Sequence, residues 1–397
     1  MDKNEAREIV ESLRFGIPPN GYVRYFTVGR EEEVSQLLHR LEDRVKGPLL
    51  LKANWGAGKS HLLLLVRETA LDQGFLVSYV KCDSASGVRF NRLDQIFGAV
   101  CRGIELPYGQ KANGIRAFLN YICTYIKQEN PNGSFWRNLT DNGQWRYSDE
   151  LTSYACYLAL RGWYFGNANI QNIIEDWLFH PWKYKAERKS LYINLVSNLS
   201  SHFRDKMPEW QYYDTSEGIF DFQGQDYLQC WASLTDLFRL SKESGLKGFV
   251  ILFDEFEEQI ERLKNIKYQE KAFLNLFELY KAKKFVGMTF FAVTPDFTHN
   301  CQKRLTQKGR IDFNLNQFNE LPTFEMAPLE LTQLEELSHK ILDTHAIAFG
   351  WNPQGEISSV DLSAEIDELA SVQIPNRTRH FITEFTKYLD EIYDGHH

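Results

Sequence analysis

The chain has 397 residues, 43% hydrophobic and 25% charged, with 28 Phe, 19 Tyr and 9 Trp. At about 150 residues per domain this length suggests two or three units with cores that need no disulfide or metal staple, and the aromatic content excludes a disordered chain. The balance of 45 basic against 53 acidic residues, a net charge of −8, excludes a surface given over wholly to nucleic acid or anionic membrane.

The opening segment is charged and lacks the apolar core of a secretory signal. Ala6, Ile9, Val10 and Leu13 recur at helical spacing and predict a helix over 4–15, ended by Ile17-Pro18-Pro19-Asn20-Gly21. A second helix is predicted from Arg30, with Glu31, Glu32 and Glu33 in its first turn, where the helix dipole favours acids. The apolar run 48–52 reads as a buried strand, a glycine-rich turn follows, and a helix runs from His61 to Gly74. With a further strand at 75–82 these make a βαβ unit and hence a parallel sheet.

From 106 to 245 helical stretches dominate, at 115–126, 151–164, 170–178 and 191–203, and most of the tryptophans fall here. They predict an aromatic-rich helical insertion whose rings build its own core, with a partner-binding face as the alternative. Strands return at 248–253 and 285–293 with a helix at 270–283 between them. A short fifth strand near Phe324 precedes helices at 331–345, 362–371 and 379–393. No apolar run reaches the ~20 residues that span a bilayer. The 6 Cys are scattered without a C-x-x-C pair, so free thiols and a cytoplasmic protein are expected.

Ala53-Asn54-Trp55-Gly56-Ala57-Gly58-Lys59-Ser60 fits the phosphate-binding pattern G-x-x-x-x-G-K-[S/T] except at its first position, Ala53. Such a loop needs small residues that let backbone N–H groups approach phosphate oxygens, and a helix N-terminus aimed at the anion. It also needs a lysine for the β/γ phosphates and a hydroxyl for Mg²⁺. Lys59 and Ser60 supply these, and His61 follows in the helix. A second motif, Phe249 to Glu255, is an apolar strand closed by two acids. Asp254 suits Mg²⁺ and Glu255 suits a base for an attacking water, whereas Glu257 and Glu258 are what a strand emerging into solvent would carry. Together the motifs predict ATP and Mg²⁺ as ligands.

Weaker candidates follow. Thr294, at a strand end before Pro295-Asp296, stands where a sensor-1 polar residue would. Arg379 is placed like a sensor-2 arginine opening a lid helix, with Arg377 as its rival. The run from Lys303 to Arg310 carries Lys303, Arg304, Lys308 and Arg310 and no acid. It suits an arginine finger (Arg304 or Arg310), a DNA-backbone contact or a solvated loop.

With these residues the chain resembles AAA+ and STAND-type ATPases. Val28-Gly29-Arg30-Glu31 resembles the box that packs near adenine in origin-recognition-like and STAND ATPases. Glu5 to Pro19, Tyr25 to Glu33, the loop 53–60 and Ala70 to Phe75 are similar to the ATP-binding proteins of BREX anti-phage systems. Glu175-Asp176-Trp177-Leu178, Thr294-Pro295-Asp296 and Arg379-His380-Phe381-Ile382 fit the same family. The similarity is dense over 5–104 and patchy over 170–390. Ala53, and Ser60 where the family more often has threonine, depart from it.

The resemblance implies an α/β P-loop NTPase of AAA+/ASCE type with a five-stranded parallel sheet. It would comprise an N-terminal helix and first half of the ATPase core (1–105), a helical insertion (106–245), a second core half (246–325) and a helical lid (326–397). It implies ATP binding in a defence context; with the motifs, the expectation is Mg²⁺-dependent ATP hydrolysis coupled to assembly or conformational change in a complex with other proteins of a defence operon, as a homo- or hetero-oligomer away from membranes. A slow nucleotide-gated switch, a DNA-engaging motor or loader using 303–310, and ATP as a purely structural ligand are the alternatives.

Overall fold

The computed structural model describes residues 1–43, 46–83, 85–107, 113–129, 135–136, 151–183, 222–280, 285–309, 313–372 and 376–396. The sheet is built from β1 (Gly47–Lys52), β2 (Leu76–Lys81), β3 (Ile104–Glu105), β4 (Phe249–Asp254), β5 (Met288–Val293) and β6 (Thr323–Glu325). Its order is β3-β2-β4-β5-β1-β6. All neighbours run parallel except β3, which pairs antiparallel with Val77 and Ser78 at one edge. The expected five-stranded parallel sheet is thus corrected to a six-stranded mixed one. A strand of two residues carries no periodicity for the sequence to reveal.

Alternate strand residues feed opposite faces, as the two-residue period of a strand requires. Leu49, Leu51, Val250, Leu252, Phe290 and Ala292 point to one face and join Leu37 and Leu41 of α3 (Glu31–Glu42) with Leu62 and Val66 of α4 (Lys59–Asp72). Leu50, Ile251, Phe253, Phe291 and Val293 feed the other face. There they meet α5 (Leu93–Arg102), α6 (Gly114–Glu129), α7 (Tyr154–Phe165), α8 (Ala168–Phe179) and α9 (Gly224–Glu243). Burial on both faces explains why the strands read as unbroken apolar runs.

The described helices of the expected insertion do not keep a core apart. Trp163, Trp177 and Trp231 lie in the same buried cluster as Phe249 and Ile251 of the sheet. The predicted helix over 191–203 lies outside the described residues.

After β4 come α10 (Phe256–Arg262) and α11 (Ile266–Tyr280). After β5 comes α12 (Phe297–Gln307), so Lys303 and Arg304 sit on a helix rather than in the loop that their charges suggested. Its Phe297, Cys301 and Leu305 are buried at helical spacing. The chain closes with α13 (Leu331–Phe349), α14 (Ser359–Ser371) and α15 (Arg377–His396).

A single turn, α2 (Val23–Phe26), precedes α3, and the first helix, α1 (Lys3–Arg14), starts in a capping box of Asp2 with Glu5. Its buried face goes to the C-terminal helices. Ile9 and Leu13 share a cluster with Leu337 and Ile341 of α13 and Phe385 of α15, and Ala6 and Val10 meet Ala348. The N-terminal helix therefore packs with the C-terminal helices and not with the sheet.

Candidate functional site

Parallel register brings the chemistry to one end of the strands. Lys52 at the end of β1 pairs with Val293 at the end of β5, and Phe253 beside Asp254 pairs with Phe291. The loop 53–58, Asp254 and Thr294 therefore emerge together at the carboxyl ends of the strands, where open α/β sheets place ligands. Gly58, at φ +101°, caps the N-terminus of α4, and Gly56 sits at φ +72°. Both conformations favour glycine. Gly56 also has no room for a side chain, because a Cβ there would lie 2.8 Å from Asn376 Cβ and 3.0 Å from Arg379 Cβ. The start of α15 thus lies directly on the loop.

The loop, the end of β4, the segment from Gly16 to Arg30 and the start of α15 line one open cleft. Of the residues chosen from sequence, Val28, Arg30, Trp55, Gly56, Ala57, Gly58, Lys59, Ser60, His61, Asp254, Glu255 and Arg379 line it. Ala53 and Asn54 line an adjoining hollow with Arg377. Arg377 donates to the Leu329 carbonyl, so of the two rival arginines it is Arg379 that faces the cleft. Gly29 lies against Gln333 of α13. Thr294 and Arg304 do not line the cleft, and Arg310 lies outside the described residues.

The charged groups are held tightly. Lys59 is buried; its Nζ donates to the carbonyls of Ala53 at 2.9 Å and Asn54 at 3.3 Å, and lies 5.2 Å from the Trp55 ring centroid. Asp254 Oδ1 accepts from the Glu255 N–H at 2.9 Å and Oδ2 from the Tyr79 hydroxyl at 2.5 Å. Glu255 turns through the left-handed region at φ +56° and caps α10. That turn brings Glu257 back into the cleft, buried, with Oε1 3.6 Å from Lys59 Nζ.

Glu257 is thus part of the site and not the solvent-facing acid that the sequence suggested. Its only sequence signal is its place two residues beyond the acid pair. Tyr79 and the apolar wall of Leu13, Phe26, Leu329 and Ile382 also went unread.

Burial dominates the electrostatics. It lowers the Lys59 pKa despite the pull of Glu257 and Asp254, and it pushes the Glu257 carboxyl up to about 7 despite Lys59. Each partner of this pair moves towards neutrality, so their attraction at 3.6 Å does not offset desolvation. Burial and then the charge of Asp254 raise Glu255. Burial and then Arg30 push His61 down to about 4, so it is neutral at pH 7. Its Nε2 lies 2.8 Å from Thr27 Oγ1.

Two kinds of ligand suit this arrangement. Loop N–H groups at a helix N-terminus beside a buried ammonium suit a polyphosphate. The Ser60 hydroxyl and Asp254 carboxylate are hard oxygen donors suited to Mg²⁺. Among the described residues no group of three or more His, Cys, Asp or Glu is placed to hold a metal ion, so an ion here would take its other oxygens from phosphate and water.

A family model described as BREX system ATP-binding protein BrxC/D matches residues 1–143 and 217–396, most of the chain, and the chain belongs to that family. The span between the two matched segments falls inside the expected insertion. Searches of curated proteins and of solved structures return no match. No helix among the described residues is long and apolar enough to cross a membrane.

Proposed function

We propose that this member of the BREX ATP-binding family binds ATP with Mg²⁺ in the cleft and hydrolyses it as an AAA+-type P-loop ATPase. The cycle drives assembly or conformational change in a multi-protein anti-phage complex. The observation that carries this reading is the meeting, in one cleft, of Lys59 at the start of α4 with Asp254 and Glu255 at the end of β4.

In this reading the backbone N–H groups of Gly56 to Ser60 cradle the phosphates and Lys59 neutralises the β/γ end. Ser60 and Asp254 hold Mg²⁺, which when bound supplies charge neutralisation on the phosphates. Glu255, its pKa raised by burial, orients the attacking water and accepts its proton. The apolar wall around Ile17, Phe26 and Val28 receives the base. Arg379 approaches from the lid side in the sensor-2 role.

Phosphate release under multiple turnover tests this directly. Glu255→Gln is expected to retain ATP while turnover falls about 100-fold or more. Normal turnover in that variant would remove the base assignment. Wild type that binds ATP but releases no phosphate would favour ATP as a purely structural ligand.

A further inference from the structure

Glu257 is the cleft group that this chemistry leaves without a task. It is 4% exposed, and neither carboxylate oxygen has a hydrogen-bond partner. Leaving a buried polar group unsatisfied costs about 1–3 kcal/mol, and more for a charge. Its ion-pair partner among the described residues is the lysine of the loop, with Oε1 3.6 Å from Lys59 Nζ, while the charge of Asp254 acts against its ionisation. That ammonium is folded back on its own loop, with the carbonyls of Ala53 and Asn54 accepting from it at 2.9 and 3.3 Å. An ammonium has three donors, so one remains for Glu257. Glu257 also lies in the first turn of α10, whose cap is Glu255.

We propose that Glu257 is a latch on Lys59: in the nucleotide-free protein it holds the ammonium back in the loop, and an arriving polyphosphate takes the lysine from it. The inference rests on the ATP-binding reading above. Glu257 is then a positioning residue, which sets affinity by competing with phosphate for one cation.

Two readings on Glu257→Gln test it. The first needs no nucleotide: labelling of Lys59 by an amine-acetylating reagent, read by mass spectrometry against exposed Lys308. The latch expects Lys59 labelling to rise roughly tenfold over wild type, the effect of releasing a pair worth about 1.4 kcal/mol. The second is ATP affinity in EDTA, expected to tighten by a similar factor. Tighter ATP binding with unchanged Lys59 labelling would mean simple charge repulsion and would overturn the latch, as would unchanged or weaker affinity.

Wild type that binds no ATP would defeat the ATP reading, while the labelling comparison still decides whether Glu257 restrains Lys59. If Glu257→Gln fails to fold, Glu257→Asp draws the carboxylate back by one methylene and carries the same two readings.

Discussion

The Tyr79 hydroxyl on β2 donates to Asp254 Oδ2 at the end of β4, 2.5 Å away. The Glu255 N–H holds Oδ1, so the carboxylate is fixed from two sides. Burial and the charge of Asp254 raise the phenol pKa, and Tyr79 stays a donor at any working pH. Tyr79→Phe removes this bond to a buried carboxylate. It is expected to cost about 1–3 kcal/mol in urea denaturation and to raise the Mg²⁺ concentration needed for tight ATP binding. No change in either quantity would contradict the positioning role.

Gly56→Ala separates strain from contact. Gly56 and Gly21 both have positive φ, +72° and +83°, but a Cβ at Gly21 meets nothing within 4 Å while one at Gly56 meets Asn376 and Arg379. Both substitutions carry about 1–3 kcal/mol of backbone strain. Only Gly56→Ala is expected to weaken ATP binding, by about tenfold or more, because it pushes α15 off the loop. Equal effects on ATP affinity would show that the α15 contact is irrelevant to binding.

The raised Glu257 carboxyl has a consequence for stability. Its folded value of about 7 lies above the ordinary 4.5, so between these the folded protein keeps a proton that the unfolded chain has lost. Its contribution is therefore full below pH 4.5 and is lost as pH rises to about 7. Glu257→Gln removes that slope. In chemical denaturation the variant should gain on wild type across this window, by on the order of 2–3 kcal/mol. A difference independent of pH would contradict the burial argument.

A polar chain ties α1 to the C-terminal helices. The Trp351 Nε1–H donates to His345 Nδ1 at 3.0 Å, and His345 Nε2 donates to Asp390 Oδ1 at 3.1 Å. Arg14 donates to both oxygens of Asp390, at 2.9 and 2.6 Å. Asp390→Ala leaves the fully buried His345 without its acceptor and Arg14 with Glu11 of its own helix as its remaining carboxylate partner. The expected cost is about 2–4 kcal/mol, with faster tryptic cleavage at Arg7 and Arg14. Arg379 lies against Gly16 just beyond α1, so weaker ATP binding should accompany it. A loss below about 0.5 kcal/mol would mean that the chain does not hold α1 in place.

The sequence was most legible where pattern and chemistry coincide. Short apolar runs marked β1, β2, β4 and β5, and the spacing of Gly56, Gly58 and Lys59 marked the loop. Other features rest on tertiary facts that no local pattern encodes. The amphipathic face of α1 shows that Ile9 and Leu13 are buried, but not that α13 and α15 bury them. The burial of Glu257 follows from the left-handed turn at Glu255, a conformation that glutamate seldom adopts. The apolar stripe of α12, Phe297, Cys301 and Leu305, was readable, but the charge run across 303–310 drew attention to solvent instead. In α5, a Cβ at Gly98 would lie 2.3 Å from the Phe179 carbonyl oxygen, a close approach that no local pattern announces.

The central claim is that the cleft around Lys59 is an ATP site, and calorimetric titration of ATP with Mg²⁺ into wild type and Lys59→Ala tests it most directly. The account expects saturable binding by wild type and a loss of affinity of about 100-fold or more in the variant, equivalent to about 3 kcal/mol. Equal affinity in the two proteins, or no binding by a folded wild type, would contradict it.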